Sequence, residues 1–145
     1  MVALRAVVSR VTALDGEHVF CLDGDFHGLF EEVGYELVED FLPWEVSVAA
    51  KGTKWIVADG VKAGQIKMDK DGEAYDSKES DNPSGLKLTF TAKTGLFKGS
   101  FKVYAIDAKG KLKSFSATVN GIVVDGFGFG TATIKKIGSA LIAIE

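Results

Sequence analysis

Cysteine is nearly absent from this chain: Cys21 stands alone among 145 residues. No internal disulfide can form, so cysteine usage does not mark a redox compartment. Proline is almost as scarce, with only Pro43 and Pro83, which excludes a proline-rich linker. Apolar runs are short, and none reaches the length needed to cross a bilayer, so no membrane insertion is expected. The first twenty residues, MVALRAVVSRVTALDGEHVF, carry Arg5 and Arg10 inside their apolar stretch and lack a small-residue cleavage site. They do not read as a signal peptide. Catalytic signatures are missing as well, and no Gly-x-Ser-x-Gly nucleophile elbow occurs.

What is present is an ordinary globular balance, with 46% hydrophobic and 26% charged residues. That composition argues against disorder, and the length suits one domain spanning 1–145 with its own core. Seventeen glycines and ten phenylalanines stand out. Many glycines with few prolines suit tight turns and bulges between strands. The net charge of −3 hides an asymmetry. Residues 1–82 carry 17 acidic and 8 basic side chains, residues 83–145 only 3 acidic against 9 basic. Such halves can attract each other within a domain or between copies, so a homo-oligomer is one expected partner state. The lysines of the basic half mostly alternate with apolar residues, as solvated strand faces do, and no nucleic-acid binding is expected.

Residues 2–13 suit either a strand or an amphipathic helix, and Asp15-Gly16 signals a turn that would pair His18–Leu22 back as a hairpin. Phe26, Leu29, Phe30, Val33, Leu37 and Phe41 recur at helical spacing, which predicts a helix over 26–41 capped by Asp25. Gly34 weakens it, and two short strands around that glycine are the rival reading. From Trp44 the period becomes two, with strands expected from Trp44, from Trp55 and over Val61–Met68. Asp69–Pro83 is polar and turn-rich and reads as a mobile loop.

From Ser84 onward the signal is strongest. Leu86, Leu88 and Phe90 alternate with polar residues, then Phe97, Phe101 and Val103 alternate with Lys98, Ser100 and Lys102. Phe115, Ala117 and Val119 continue the apolar face. Asn120-Gly121 is either a hairpin turn or a bulge in a long strand. Phe127 and Phe129 alternate with Gly126, Gly128 and Gly130, leaving one face nearly bare for a backbone, a large side chain or a ligand to approach. The fold class expected is all-β: an antiparallel barrel or sandwich of about eight to ten strands, with one short helix. Residues 1–41 are the less regular segment and 42–145 the β-meander.

Several residues carry chemistry that bears on function. Asp69, Asp71, Glu73 and Asp76 are spaced closely enough to wrap calcium, but the spacing departs from the EF-hand pattern and a solvated acidic turn reads better. His18, Cys21 and His27 lack the fourth ligand of a zinc site. No cofactor is otherwise expected. Glu31, Glu32, Glu36, Glu39 and Asp40 would serve glycoside hydrolysis only if two carboxyls faced each other across a cleft. Tyr104, Tyr75, Trp44, Trp55 and Tyr35 are the aromatic candidates for ligand contact, because rings with a polar edge stack on sugars or anchor interfaces. Tyr104 falls on the lysine-bearing strand face, while Trp44 and Trp55 at strand starts suit the core.

The segments LPWEVSVAAKGTKWIVA, NPSGLKLTFTAKTGLFKGSFKVYA and VNGIVVDGFGFGTATIKK resemble an uncharacterised β-rich C-terminal module of large, repeat-containing secreted or surface bacterial proteins. The likeness covers roughly residues 42–136 and transfers no catalytic residue. It implies an extracellular or cell-surface β domain attached to a larger, multidomain parent protein. The function expected is therefore a non-catalytic binding or structural module, with a glycan as first ligand. A small glycosidase or esterase with its site in a barrel mouth, and a self-associating assembly module, are the alternatives.

Overall fold

The computed structural model describes residues 17–51, 54–57, 61–91 and 93–145. The expected strand or helix at 2–13 and the Asp15-Gly16 turn lie outside the described residues. Among the described residues there are eleven strands, one α-helix and one 3₁₀ turn. In chain order these are β1 (Glu17–Asp23), α1 (Phe26–Glu32), β2 (Glu36–Leu37), the 3₁₀ turn (Glu39–Phe41), β3 (Glu45–Lys51) and β4 (Lys54–Val57). Then come β5 (Ile66–Met68), β6 (Ala74–Asp76), β7 (Lys87–Thr91), β8 (Leu96–Ile106), β9 (Leu112–Val124), β10 (Phe127–Ile134) and β11 (Gly138–Ile144).

Nine strands form one strongly curled antiparallel sheet in the order β2-β8-β9-β10-β11-β1-β3-β4, with β7 also on β8. β2 and β7 share the free edge of β8, at its end and its beginning respectively. The curl brings β4 back alongside β7, where the Trp55 and Phe90 rings stack at 5.0 Å. No hydrogen-bonded ladder joins β4 to β7 among the described residues, so the all-β fold is a half-barrel that side chains draw together. β5 and β6 pair only with each other.

Period-two patterning explains the strands. In β8 the residues Phe97, Phe101, Val103 and Ala105 are buried, while Leu96, Lys98, Ser100 and Lys102 face out. Phe20, Val48, Val119, Ala132, Ile142 and Ile144 add to the same interior from β1, β3, β9, β10 and β11. Each large apolar side chain so buried stabilises the fold by about 1.5–3 kcal/mol relative to exposure. β9 runs without interruption through Asn120-Gly121, which pair one to one with both neighbouring strands and so form neither a hairpin turn nor a bulge. The next turn is at Asp125-Gly126, where both residues have positive φ.

Two expectations need correction. The helix is seven residues long rather than sixteen, because Gly34 adopts φ 87° and turns the chain into β2. The cap is as expected: the Asp25 carboxylate accepts from the Gly28 backbone N–H at 2.9 Å. The acidic stretch from Asp69 is not one open loop: it closes the β5–β6 hairpin and then a turn on which Asn82 is buried. In the sheet β1 pairs with β11 on one edge and with β3 on the other. No helix among the described residues is long and apolar enough to cross a membrane.

Candidate functional site

The outer face of β8–β11 carries the most unusual surface. Pairing register sets Leu96, Ile122, Phe129, Ala143 and Cys21 side by side on five neighbouring strands. Phe127 lies two residues along β10 from Phe129 on the same face, paired with Val124. Phe127 and Phe129 are 50% and 54% exposed, and their rings lie 6.5 Å apart and 28° from parallel. Leu96 and Leu141 beside them are 52% and 64% exposed. A cluster of large apolar side chains left in water marks a contact surface more often than scattered single residues do.

This surface exists because the glycines face the other way. Gly121 and Gly128 point into the core, where the ring of Phe97 lies across them. A β-carbon on Gly121 would collide with that ring and with the Phe129 carbonyl. The bare face foreseen in the sequence is thus occupied by a large side chain, and alternation forces both phenylalanines outward.

Polar groups adjoin the apolar cluster. The next row across the sheet reads Lys98, Asn120, Thr131, Leu141, Asp23, and the one after reads Ser100, Thr118, Thr133, Ser139. Thr133 and Ser139 hydroxyls sit 3.1 Å apart. The result is a platform of two rings and two leucines bordered by hydroxyl, amide and ammonium groups.

The aromatic candidates from the sequence do not come together. Trp55 is buried between Phe90 and Phe97. Tyr35 packs edge-on against Phe30 and Phe115. Tyr104 faces outward on β8, as its position implies, yet it is buried; its hydroxyl bonds the Ile66 backbone, and burial first, then the Asp76 charge, push its pKa up. Trp44, just before β3, and Tyr75, on β6, are both exposed, so Trp44 is not the core residue its place suggested. Phe127 and Phe129 were legible only as alternation; which face they take depends on Phe97 filling the glycine side.

The acidic candidates divide into two uses. Asp69 accepts from the backbone N–H of Asp71 and Glu73 at 2.8 and 2.9 Å. Asp76 accepts from the N–H of Gln65, Lys78 and Ser80 and from the Ser80 hydroxyl. Partial desolvation raises the Asp76 pKa, but the Ser80 hydroxyl and the three N–H donors prevail and hold it at about 2. These carboxylates staple the β5–β6 hairpin. Among the described residues no group of three or more His, Cys, Asp or Glu is placed to hold a metal ion. Glu36, Glu39 and Asp40 instead meet Glu73 around an open concavity of about 550 Å³, with His27 on its wall.

The chain matches no known family model, no curated protein and no solved structure.

Proposed function

We propose that this chain is a non-catalytic binding module that takes a glycan on the outer face of β8–β11, as part of an extracellular bacterial protein. The observation that carries the reading is the half-exposed, near-parallel Phe127–Phe129 pair beside Asn120, Thr131, Thr118 and Thr133. Sugars present an apolar ring face and a rim of hydroxyls. Aromatic rings match the first, and serine, threonine, asparagine and lysine side chains match the second. The platform sits on rigid paired strands, so little ordering is required when a ligand binds.

Affinity electrophoresis and calorimetry against a panel of polysaccharides test this. Retention on at least one polysaccharide is expected, and Phe129→Ala weakens it about tenfold, the loss of one stacked ring. Failure to be retained on any polysaccharide sinks the glycan reading.

A second reading, a small glycosidase, draws on the meeting of Glu36, Glu39, Asp40 and Glu73 around one concavity. Acid–base hydrolysis needs two facing carboxyls roughly 5–9.5 Å apart. Release of nitrophenol from nitrophenyl glycosides, abolished by Glu36→Gln or Glu73→Gln, would support it; no release by the unaltered protein would dismiss it.

A further inference from the structure

The strands β7 to β11 contain no aspartate or glutamate, and the charges on their outer face are all lysines. Lys87, Lys98 and Lys102 are exposed there. Register sets Lys87 opposite Ser100, and Lys98 lies two residues before that serine. The two lysines are thus diagonal neighbours on adjacent strands, about 7–8 Å apart at the backbone and within side-chain reach of one anionic group. Lys102 lies on the other side of Ser100, nearer to Asp76, whose charge is felt at Tyr104, the next outward residue. Among the described residues neither Lys87 nor Lys98 lies within ion-pair distance of a carboxylate. Like charges on neighbouring strands repel, and an anion between them removes that cost.

Lysines on a strand face are ordinarily solvated one by one. These differ because the opposite charges of the outer face gather elsewhere. Asp23, Glu45 and Glu145 surround Cys21 on the far side of the apolar cluster. The face runs from positive at β7–β8, through the uncharged Phe127–Phe129 platform, to negative at β1–β3. A negatively charged ligand on the rings is therefore drawn to one side only. Lys98 shares its row with Asn120 and Thr131. β8 and β10 lie two strands apart, about 10 Å, so a short run of sugars can touch Phe129 and the lysines together.

We infer that the glycan taken by this face is anionic: an acidic polysaccharide whose carboxylate or sulfate groups lie between Lys87 and Lys98 while a sugar ring stacks on Phe129. The inference rests on the glycan reading above and specifies its ligand class.

Polygalacturonate and dextran sulfate are the probes, with methyl-esterified polygalacturonate and dextran as their neutral counterparts. The first pair reads carboxylate and the second sulfate. Calorimetry with the full chain should show at least one anionic polymer bound about tenfold more tightly than its counterpart, and more weakly as salt rises. Lys87→Gln and Lys98→Gln should each weaken it about threefold, and together about tenfold, the scale of exposed ion pairs. Lys113→Gln removes a lysine of the opposite sheet face, beside Asp107, and should leave it unchanged. Equal binding of charged and neutral polymers would overturn the inference and leave the glycan reading standing. Full affinity in the double variant, an equal loss in Lys113→Gln, or tighter binding of a DNA oligonucleotide would overturn it too. Binding of no polysaccharide at all removes the glycan reading, and this inference with it.

Discussion

Asp76 accepts four hydrogen bonds from Gln65, Lys78 and Ser80, and this single carboxylate ties the two ends of the β5–β6 hairpin to the turn that follows. Its folded pKa lies at about 2, below the ordinary 3.8. A depressed carboxylate contributes stability in full above the ordinary value and loses it as pH falls through the folded one. The contribution should therefore vanish between 3.8 and about 2. Urea unfolding of the unaltered protein and Asp76→Asn checks this: a gap near neutral pH should close at the acid end. Cys21 presents the opposite case. Burial first, then the charges of Glu145 and Glu45, raise its thiol pKa. Iodoacetamide should alkylate it slowly at neutral pH, and Glu145→Gln should speed the reaction, because the thiolate is the reactive form. At Gly121, alanine would push against Phe97 and the Phe129 carbonyl, so Gly121→Ala should cost about 1–3 kcal/mol in chemical denaturation.

The elements were legible where one period ran long enough. The alternation from Leu86 to Val103 specifies β7 and β8 and their buried faces, and both strands form as read. The helical spacing from Phe26 to Phe41 misleads, because Leu37 and Phe41 are apolar for a different reason: Leu37 is buried in β2 and the 3₁₀ turn presents Phe41. Gly34 decides between the readings through backbone conformation, which hydrophobic spacing does not encode. Replacing it with alanine should cost about 1 kcal/mol at its positive φ. Asp25→Ala should cost a similar amount, about 1 kcal/mol, by removing the bond to Gly28. Thermal melts of the two variants measure these losses. β5 lies at the end of the strand read over Val61–Met68, but its partner β6 was illegible because carboxylate-to-backbone bonds in a polar stretch hold that half of the hairpin.

At the scale of the whole molecule, sequence gave the all-β class, while strand order depended on contacts between the chain's two ends that no local pattern announces. The candidate surface was half legible for the same reason: Phe127 and Phe129 were visible as a motif, but their neighbours Leu96, Leu141 and Cys21 arrive only through pairing. Among the described residues the charge asymmetry finds little use inside the fold. Close contacts between basic and acidic side chains among these residues include His27–Glu31, one helical turn apart, and Lys113–Asp107 across a hairpin turn. Exposed pairs of this kind contribute about 0–1 kcal/mol each, so added salt should shift the melting temperature by only about 2 °C. A much larger fall would mean that the acidic and basic halves hold each other.

The last strand is the keystone of the sheet: β11 lies between β10 and β1, joining the hairpins of the basic half to β1, β3 and β4. During synthesis the early strands must wait, unpartnered on that side, until Gly138–Ile144 leaves the ribosome. Such late, long-range pairing makes for slow folding and for a period of open edges, in which chaperones have time to act. Arrested nascent chains ending at residue 137 should be digested readily by protease, and chains released at full length should resist it.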